Sequence, residues 1–366
     1  LGMGFGSGCA EDAGGSIDDS PTPEIQETPV PGVNLEGPFP YDTLSEYHFF
    51  QGDMKGLEPV PGVIPYEVRS PLYTDNAIKP RFIVIPEEGQ IDFDADAPWT
   101  WPEGTILIKN FMFEHDFRDP SQGYELIETR LLILEEGIWV PHTYLWNEEQ
   151  TEATRYSIGT FVTVSFTDLE GMLQEQLYQV PNTNQCRNCH ANADAVAPIG
   201  PRTRQLNFDV TTQEGTVNQL EHLQVLGMFS SELPSVESLP ALTDPRGAAD
   251  LDFRARSYLE ANCAHCHTPG GAASASGLVL SIDETDPYRF GVCKTPVATG
   301  TASGDLLYDI VPGASDESIL VHRMSSTDPE IKMPELGTLT VDEHGLELIR
   351  DWIDAMDPTD YASLCE

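Results

Sequence analysis

The sequence predicts an α+β fold. An N-terminal antiparallel β-rich domain, sandwich or barrel-like, is followed by an α-helical C-terminal region. Two patterns carry this expectation. Between residues 80 and 180, short β-branched and aromatic runs recur, separated by Gly, Pro and acidic turns. After Pro181 the apolar residues change to three-and-four spacing, with acidic residues in the first turn of the last expected helix.

Taken in order, residues 1–35 read as a disordered acidic tether, rich in Asp, Glu, Ser, Gly, Thr and Pro. Such a composition lacks the apolar surface that offsets the entropy of ordering. Residues 41–50 (YDTLSEYHFF) predict a short helix entered through Asp42 or Thr43. Strands are expected at 81–86, 105–113, 128–134, 138–146, 159–166 and 176–180, with a hairpin turn at Glu135-Glu136-Gly137. These define a β-rich domain over 36–180. Residues 181–246 hold a helix over 216–229 and a Pro/Ser-rich linker from 234. The last domain, 247–366, begins with a helix over 252–262 that buries Ala255, Tyr258 and Leu259. It ends with a helix over 341–356 that buries Leu346, Ile349, Trp352, Ile353 and Met356. Asp342 and Glu343 suit the positive end of its dipole.

Charge narrows the function classes. Sixty acidic residues stand against nineteen basic ones in 366, a formal net charge of −41. Binding to nucleic acid is excluded, because phosphate contact needs Lys and Arg. An anionic membrane surface would repel the chain. The acidic surface keeps the protein solvated, and it also steers a basic protein partner toward it. No apolar run is long enough to span a bilayer.

Seven cysteines are present. Four lie in two copies of one pattern, Cys186-Arg187-Asn188-Cys189-His190 and Cys263-Ala264-His265-Cys266-His267. Cys-x-x-Cys-His is the attachment signature of c-type haem. The two thiols add across the haem vinyl groups and the His is the proximal iron ligand. Zinc ribbons space their Cys pairs about fifteen to twenty residues apart, whereas these pairs are 77 apart. A thioredoxin-like reading would need a βαβ context, which the pattern lacks. The expected cofactors are therefore two covalent haem c groups, held by Cys186, Cys189, Cys263 and Cys266, with iron on His190 and His267.

Covalent haem attachment implies export, so disulfides are permitted. Cys293 and Cys365 are expected to pair. Gly6-Ser7-Gly8-Cys9 resembles a loose lipobox, with Gly6 where Leu is usual. Cys9 is then either a lipid-acylation site, the chain's one membrane attachment, or an incidental cysteine in a signal-peptide remnant. The expected location is periplasmic or cell-surface, with an outer-membrane lipoprotein as one form.

The second motif has a recognisable setting. A helix leads into it, a Gly/Pro/Ala-rich loop follows over 268–277, and Lys332-Met333-Pro334 precedes a final helix. Residues 247–366 thus resemble a class I cytochrome c domain. The resemblance implies that Met333, 66 residues after His267, is the distal iron ligand. A thioether there favours ferrous iron and raises the potential. Met324 is the competing ligand and His322 a weaker one. A carbonyl near Pro269 is expected to hold the His267 Nδ1 proton, and His265 to face solvent or the haem edge. The first motif has no following Met-Pro. Its distal side is left open among His222, Met228, Met172, His48, His115, His142 and an unligated position.

Residues 40–356 also resemble a family of uncharacterised exported bacterial di-haem c-type proteins associated with parallel β-helix repeat proteins. The segments that carry this include 71–82 (PLYTDNAIKPRF), 144–147 (YLWN), 181–190 (PNTNQCRNCH) and 351–353 (DWI). The resemblance implies two haems and export, but no established reaction. Asp75, Lys79, Arg81, Lys109, Glu128 and Arg130 fall in those β-domain segments and are expected to form a paired structural network rather than a substrate site. The functional expectation is an electron-transferring di-haem cytochrome working between redox partner proteins. A peroxidase-like oxidoreductase with chemistry at an open first haem is one alternative. A protein- or carbohydrate-binding module with structural haems is the other.

Overall fold

In the computed structural model, residues 32–192, 195–212, 215–297 and 299–365 are described. Residues 1–31 of the expected tether, Cys9 and its expected acylation included, lie outside them. The tether's last residues are not disordered as expected: Val33 and Leu35 pack against the core that holds Tyr47, and the Asn34 N–H donates to the Tyr47 carbonyl at 2.9 Å. Six strands form an antiparallel meander: β1 (Val63–Tyr66), β2 (Arg81–Val84), β3 (Ile106–Glu114), β4 (Tyr124–Glu135), β5 (Ile138–Trp146) and β6 (Ala153–Arg155). They lie side by side in sequence order. The sheet is therefore open, with β1 and β6 as edges, so of the two expected forms, sandwich or barrel-like, the barrel-like one is not adopted. The β4–β5 hairpin turns where expected, at Glu136 (φ 52°) and Gly137 (φ 75°), the two left-handed positions of a type I′ turn.

Strict alternation sorts the side chains of this sheet. Phe82, Val84, Ile106, Ile108, Leu131 and Ile133 turn to one face, where Tyr47, Phe49 and Tyr144 complete a core. Ile83, Leu107, Leu134 and Trp139 belong to a second core with Leu220, Leu223 and Met228. A separate hairpin, β7 (Thr160–Thr167) and β8 (Leu173–Val180), packs Val164, Phe166 and Tyr178 against Phe111, Phe113 and Ile127. Ile127 is the extra residue of a bulge where the β3–β4 register shifts after Phe111, which bends the strand toward the hairpin.

The expected helix over 41–50 is a single 3-10 turn, Leu44–Tyr47. It is entered through Thr43, whose N–H donates to Glu46 Oε2 at 2.9 Å. After the hairpin comes α1 (Thr183–His190), then the short pair β9 (Ala191–Asn192) and β10 (Ala195–Val196), and α2 (Thr203–Leu206). The helix expected over 216–229 is shorter, α3 (Gln219–Val225). Its first residues instead form β12 (Gly215–Asn218), paired with β11 (Asp209–Thr212). Thr216 and Val217 are β-branched and favour a strand. Asn218 then caps α3 by accepting from the Leu220 N–H at 2.9 Å.

The C-terminal region is helical only in part. It holds α4 (Leu251–Asn262), α5 (Ile319–Met324) and α6 (Glu343–Asp354), joined by turns and 3-10 segments. Asp250 caps α4 and Asp342 caps α6. The expected faces are buried, with Met356 partly so. At the α4–α6 contact a Cβ on Gly345 would strike the Tyr258 ring, so glycine permits the close approach. Cys293 and Cys365 pair as expected, with Cα atoms 5.0 Å apart, and tie the tail to this core. By backbone contact, residues from 32 onward form one compact unit.

Candidate functional site

Both Cys-x-x-Cys-His motifs open onto one cavity of about 580 Å³. The first motif is the last turn and a half of α1. The second follows α4 directly, where the Cys263, Cys266 and His267 N–H groups donate to Leu259, Cys263 and Cys263 carbonyls at 2.8, 3.1 and 2.9 Å. The loop then folds back, with Ala273 N–H on the Cys266 carbonyl at 3.0 Å. A Cβ at Gly271 would strike that same carbonyl, which accounts for glycine in this tight return.

Each motif histidine is held through Nδ1. His190 Nδ1 lies 3.0 Å from the Ala197 carbonyl. A carbonyl only accepts, so Nδ1 carries the proton and Nε2 keeps its lone pair. His267 Nδ1 lies 3.2 Å from Ser276 Oγ. The Ser276 hydroxyl donates its own proton to the Ala273 carbonyl at 2.7 Å. It must therefore accept from His267, which fixes the same tautomer. The expected carbonyl near Pro269 is thus replaced by a serine hydroxyl. Lys294 Nζ steadies that serine by donating to the Ser276 carbonyl at 2.8 Å, and pairs with Asp309 at 3.3 Å. Burial pushes both imidazoles down to about 4, so both are neutral at neutral pH.

The thiols are buried in the opposite sense. Burial and then the neighbouring Cys266 raise Cys263 to about 12. Burial and then Cys189 raise Cys266 to about 11. Cys186 and Cys189 are also raised, by burial first, with Arg130 opposing. None is a ready thiolate of the kind that thiol–disulfide redox chemistry uses. Among the described residues, no three His, Cys, Asp or Glu side chains converge on a point as they would on a bare metal ion.

Met333 lines the cavity on a loop that is tied down twice. Its N–H donates to the Arg323 carbonyl at 3.0 Å, and Arg323 Nε donates to Ile331 at 2.8 Å. Lys332 Nζ clamps the Pro334 and Glu335 carbonyls at 2.7 and 2.9 Å. Met324 also reaches the cavity but is built into the C-terminal core. The β-rich region holds the far end of this loop. Buried Asp75 accepts from the Leu339 N–H, the Thr340 N–H and the Thr340 hydroxyl at 2.8–2.9 Å. Tyr73 N–H donates to Asn262 Oδ1 at 2.7 Å, one residue before Cys263.

The residues considered for the far side of the first motif are scattered. Met172, His48 and His115 are exposed. Met228 is core, and His222 on α3 is not in the cavity wall. His142 borders the cavity, but its cross-strand partner Leu131 faces the first core, and its buried Nε2 has no partner. His265 is not turned to solvent. It lines the cavity with Nδ1 buried and unpartnered, and burial, then His267 and Lys109, lower it to about 4.

The expected charge network is only half realised. Arg130 and Glu128 form a two-point ion pair, joined by the Tyr178 hydroxyl, which donates to Glu128 at 2.6 Å. Asp75 is spent on the 339–340 backbone. Arg81 and Lys109 face the cavity with no carboxylate within ion-pair reach among the described residues. The motif residues and Met333, singled out from the sequence, line one cavity; Ala197, Ser276 and Lys294, small or distant partners with no fixed spacing, were not foreseen. No family model matches the chain, and neither the curated proteins nor the solved structures contain a match to it.

Proposed function

We propose that this chain is an exported di-haem c-type protein that transfers electrons between redox partner proteins. One observation carries the reading: two Cys-x-x-Cys-His motifs, far apart in sequence, meet in one cavity with both imidazoles pinned through Nδ1. A proximal iron ligand needs that state, with Nε2 free and its ring orientation fixed by a partner on Nδ1. No protein group among the described residues hydrogen-bonds either Nε2.

The residues fit the group. Cys186 and Cys189 would hold one haem and Cys263 and Cys266 the other, and His190, His267 and Met333 would be the side chains that ligate iron. Haem c, when bound, supplies reversible one-electron iron chemistry. The chain's own contribution is positional. Ser276 and Ala197 keep the imidazoles from rotating. Lys332, Arg323 and Asp75 hold the Met333 loop so that its thioether stays at the cavity wall. The acidic exterior steers a basic partner.

A second reading, an oxidoreductase acting at the first haem, is favoured by the scatter of the first motif's distal candidates and the unpaired cations nearby. Low-temperature EPR of the oxidised protein separates the two. Two low-spin signals unaffected by peroxide support electron transfer. A high-spin signal that changes with peroxide supports catalysis and displaces the first reading.

A further inference from the structure

The sheet register aligns charge in a way the fold alone does not explain. Tyr66 pairs with Arg81, Arg81 with Lys109, Lys109 with Arg130, and Arg130 with Thr143. Directly opposite residues on neighbouring strands share a face, so one row crosses β1 to β5, and every member lines the cavity. Its three central members are consecutive cations. Like charges directly opposite one another destabilise a sheet. Glu128 answers Arg130 alone. Arg81 spends one N–H on the Lys79 carbonyl at 2.7 Å, and Lys109 Nζ rests 5.2 Å from the Phe111 ring.

Scarcity sharpens the point. Of nineteen basic residues in the chain, Arg81, Lys109, Arg130, Arg323 and Lys332 line this one cavity. Of sixty acidic residues, only Asp309, Glu335 and Asp342 do. We propose that the Arg81–Lys109–Arg130 row is a cradle for a carboxylate or other oxyanion inside the shared cavity, beside the first motif. The anion comes either from the propionate side chains of the group attached there or from a free inorganic oxyanion. The propionate source rests on the haem reading; the cradle itself does not.

Two further facts support it. Burial, then Arg81, Lys79 and Arg130, depress the Lys109 ammonium well below its ordinary range. An anion in the row would restore its charge. Lys109, Arg130, Cys189 and His190 all line the same cavity, and α1, which carries the first motif, packs against β5, the strand that ends the row.

The test uses the exported holoprotein and its Lys109→Met, Arg81→Met and charge-preserving Lys109→Arg forms, with circular dichroism to confirm folding. Sulfate, which is a poor haem-iron ligand, is titrated by calorimetry at low ionic strength. Midpoint potentials are followed against pH, and redox-difference infrared spectra are recorded. A free oxyanion predicts saturable sulfate binding, weakened at least tenfold in Lys109→Met and Arg81→Met and kept in Lys109→Arg. Propionate predicts no sulfate binding to the wild type. It also predicts a new protonated-carboxyl band and a pH-dependent midpoint near neutrality in Lys109→Met, both absent in Lys109→Arg. If folded Lys109→Met and Arg81→Met show neither behaviour, the cradle is wrong. Should acid–acetone extraction remove all the haem, the haem reading falls on its own, and the sulfate titration alone then decides the cradle, with absent or undiminished binding overturning it.

Discussion

Asp75 is the joint between the β-rich region and the Met333 loop, and Asp75→Ala measures it. Its carboxylate is buried and accepts from three donors, the Leu339 and Thr340 N–H groups and the Thr340 hydroxyl. Hydrogen bonds to a charged acceptor contribute about 1.5–3 kcal/mol each. Leu339 and Thr340 are half-buried, so water recovers part of that, and about 1 kcal/mol per donor is the fairer figure. The expected loss of about 3 kcal/mol corresponds to roughly 150-fold in the folding equilibrium. Asp75 has a φ of 47°, a left-handed conformation that asparagine tolerates well. Asp75→Asn therefore preserves the turn and should lose about 2 kcal/mol. Urea unfolding followed by circular dichroism reads both, with unchanged slope. A loss below about 0.5 kcal/mol in Asp75→Ala would refute the claim that this carboxylate fastens the loop.

Other consequences follow from single contacts. Met333→Ala should abolish the sulfur-to-iron charge-transfer band at the red end of the ferric spectrum while leaving haem content unchanged; persistence of the band would remove Met333 from the iron. Cys293→Ser opens a loop with a sequence separation of 72. Loop entropy sets the cost at about 4 kcal/mol, seen as a lower denaturant midpoint that reductant no longer changes. His142 is lowered to about 4, by burial first and then Arg155. Its unfolded form titrates near 6.5, so the unfolded state binds an extra proton between those values. Stability is full above about 6.5 and falls as pH drops toward 4, by up to about 3 kcal/mol. In the wild-type-minus-His142→Leu difference, that slope should appear, and a flat difference contradicts the assignment. At neutral pH His142→Leu should cost less than about 1 kcal/mol, since it also removes a buried unpaired nitrogen.

What the sequence revealed was local in origin. The β4–β5 hairpin was legible because a polar turn ending in glycine, Glu135-Glu136-Gly137, separates two strand-like runs, and α4 and α6 because their apolar spacing is helical. The Cys293–Cys365 pair was expected because four of the seven cysteines belong to the motifs and Cys9 lies in the lipobox-like segment. β1 and β6 were missed because they are four and three residues long, and Pro65 interrupts the first. Strand spacing left sandwich and barrel-like forms open, because closure depends on which strands become edges, a property of the whole sheet. The motif residues were readable one by one. Their meeting in one cavity was not, because Asp75, Tyr73 and Asn262 bring distant segments together. The cation row was equally hidden: Arg81, Lys109 and Arg130 become neighbours only through cross-strand register.

The most direct measurement is the covalent haem content of the purified, exported protein, read as pyridine haemochrome after acid–acetone extraction. The account predicts two haems per chain that resist extraction. It predicts one in the Cys186→Ala/Cys189→Ala form and one in the Cys263→Ala/Cys266→Ala form. A chain that carries no haem, or releases all of it into the solvent, would contradict the reading of both motifs.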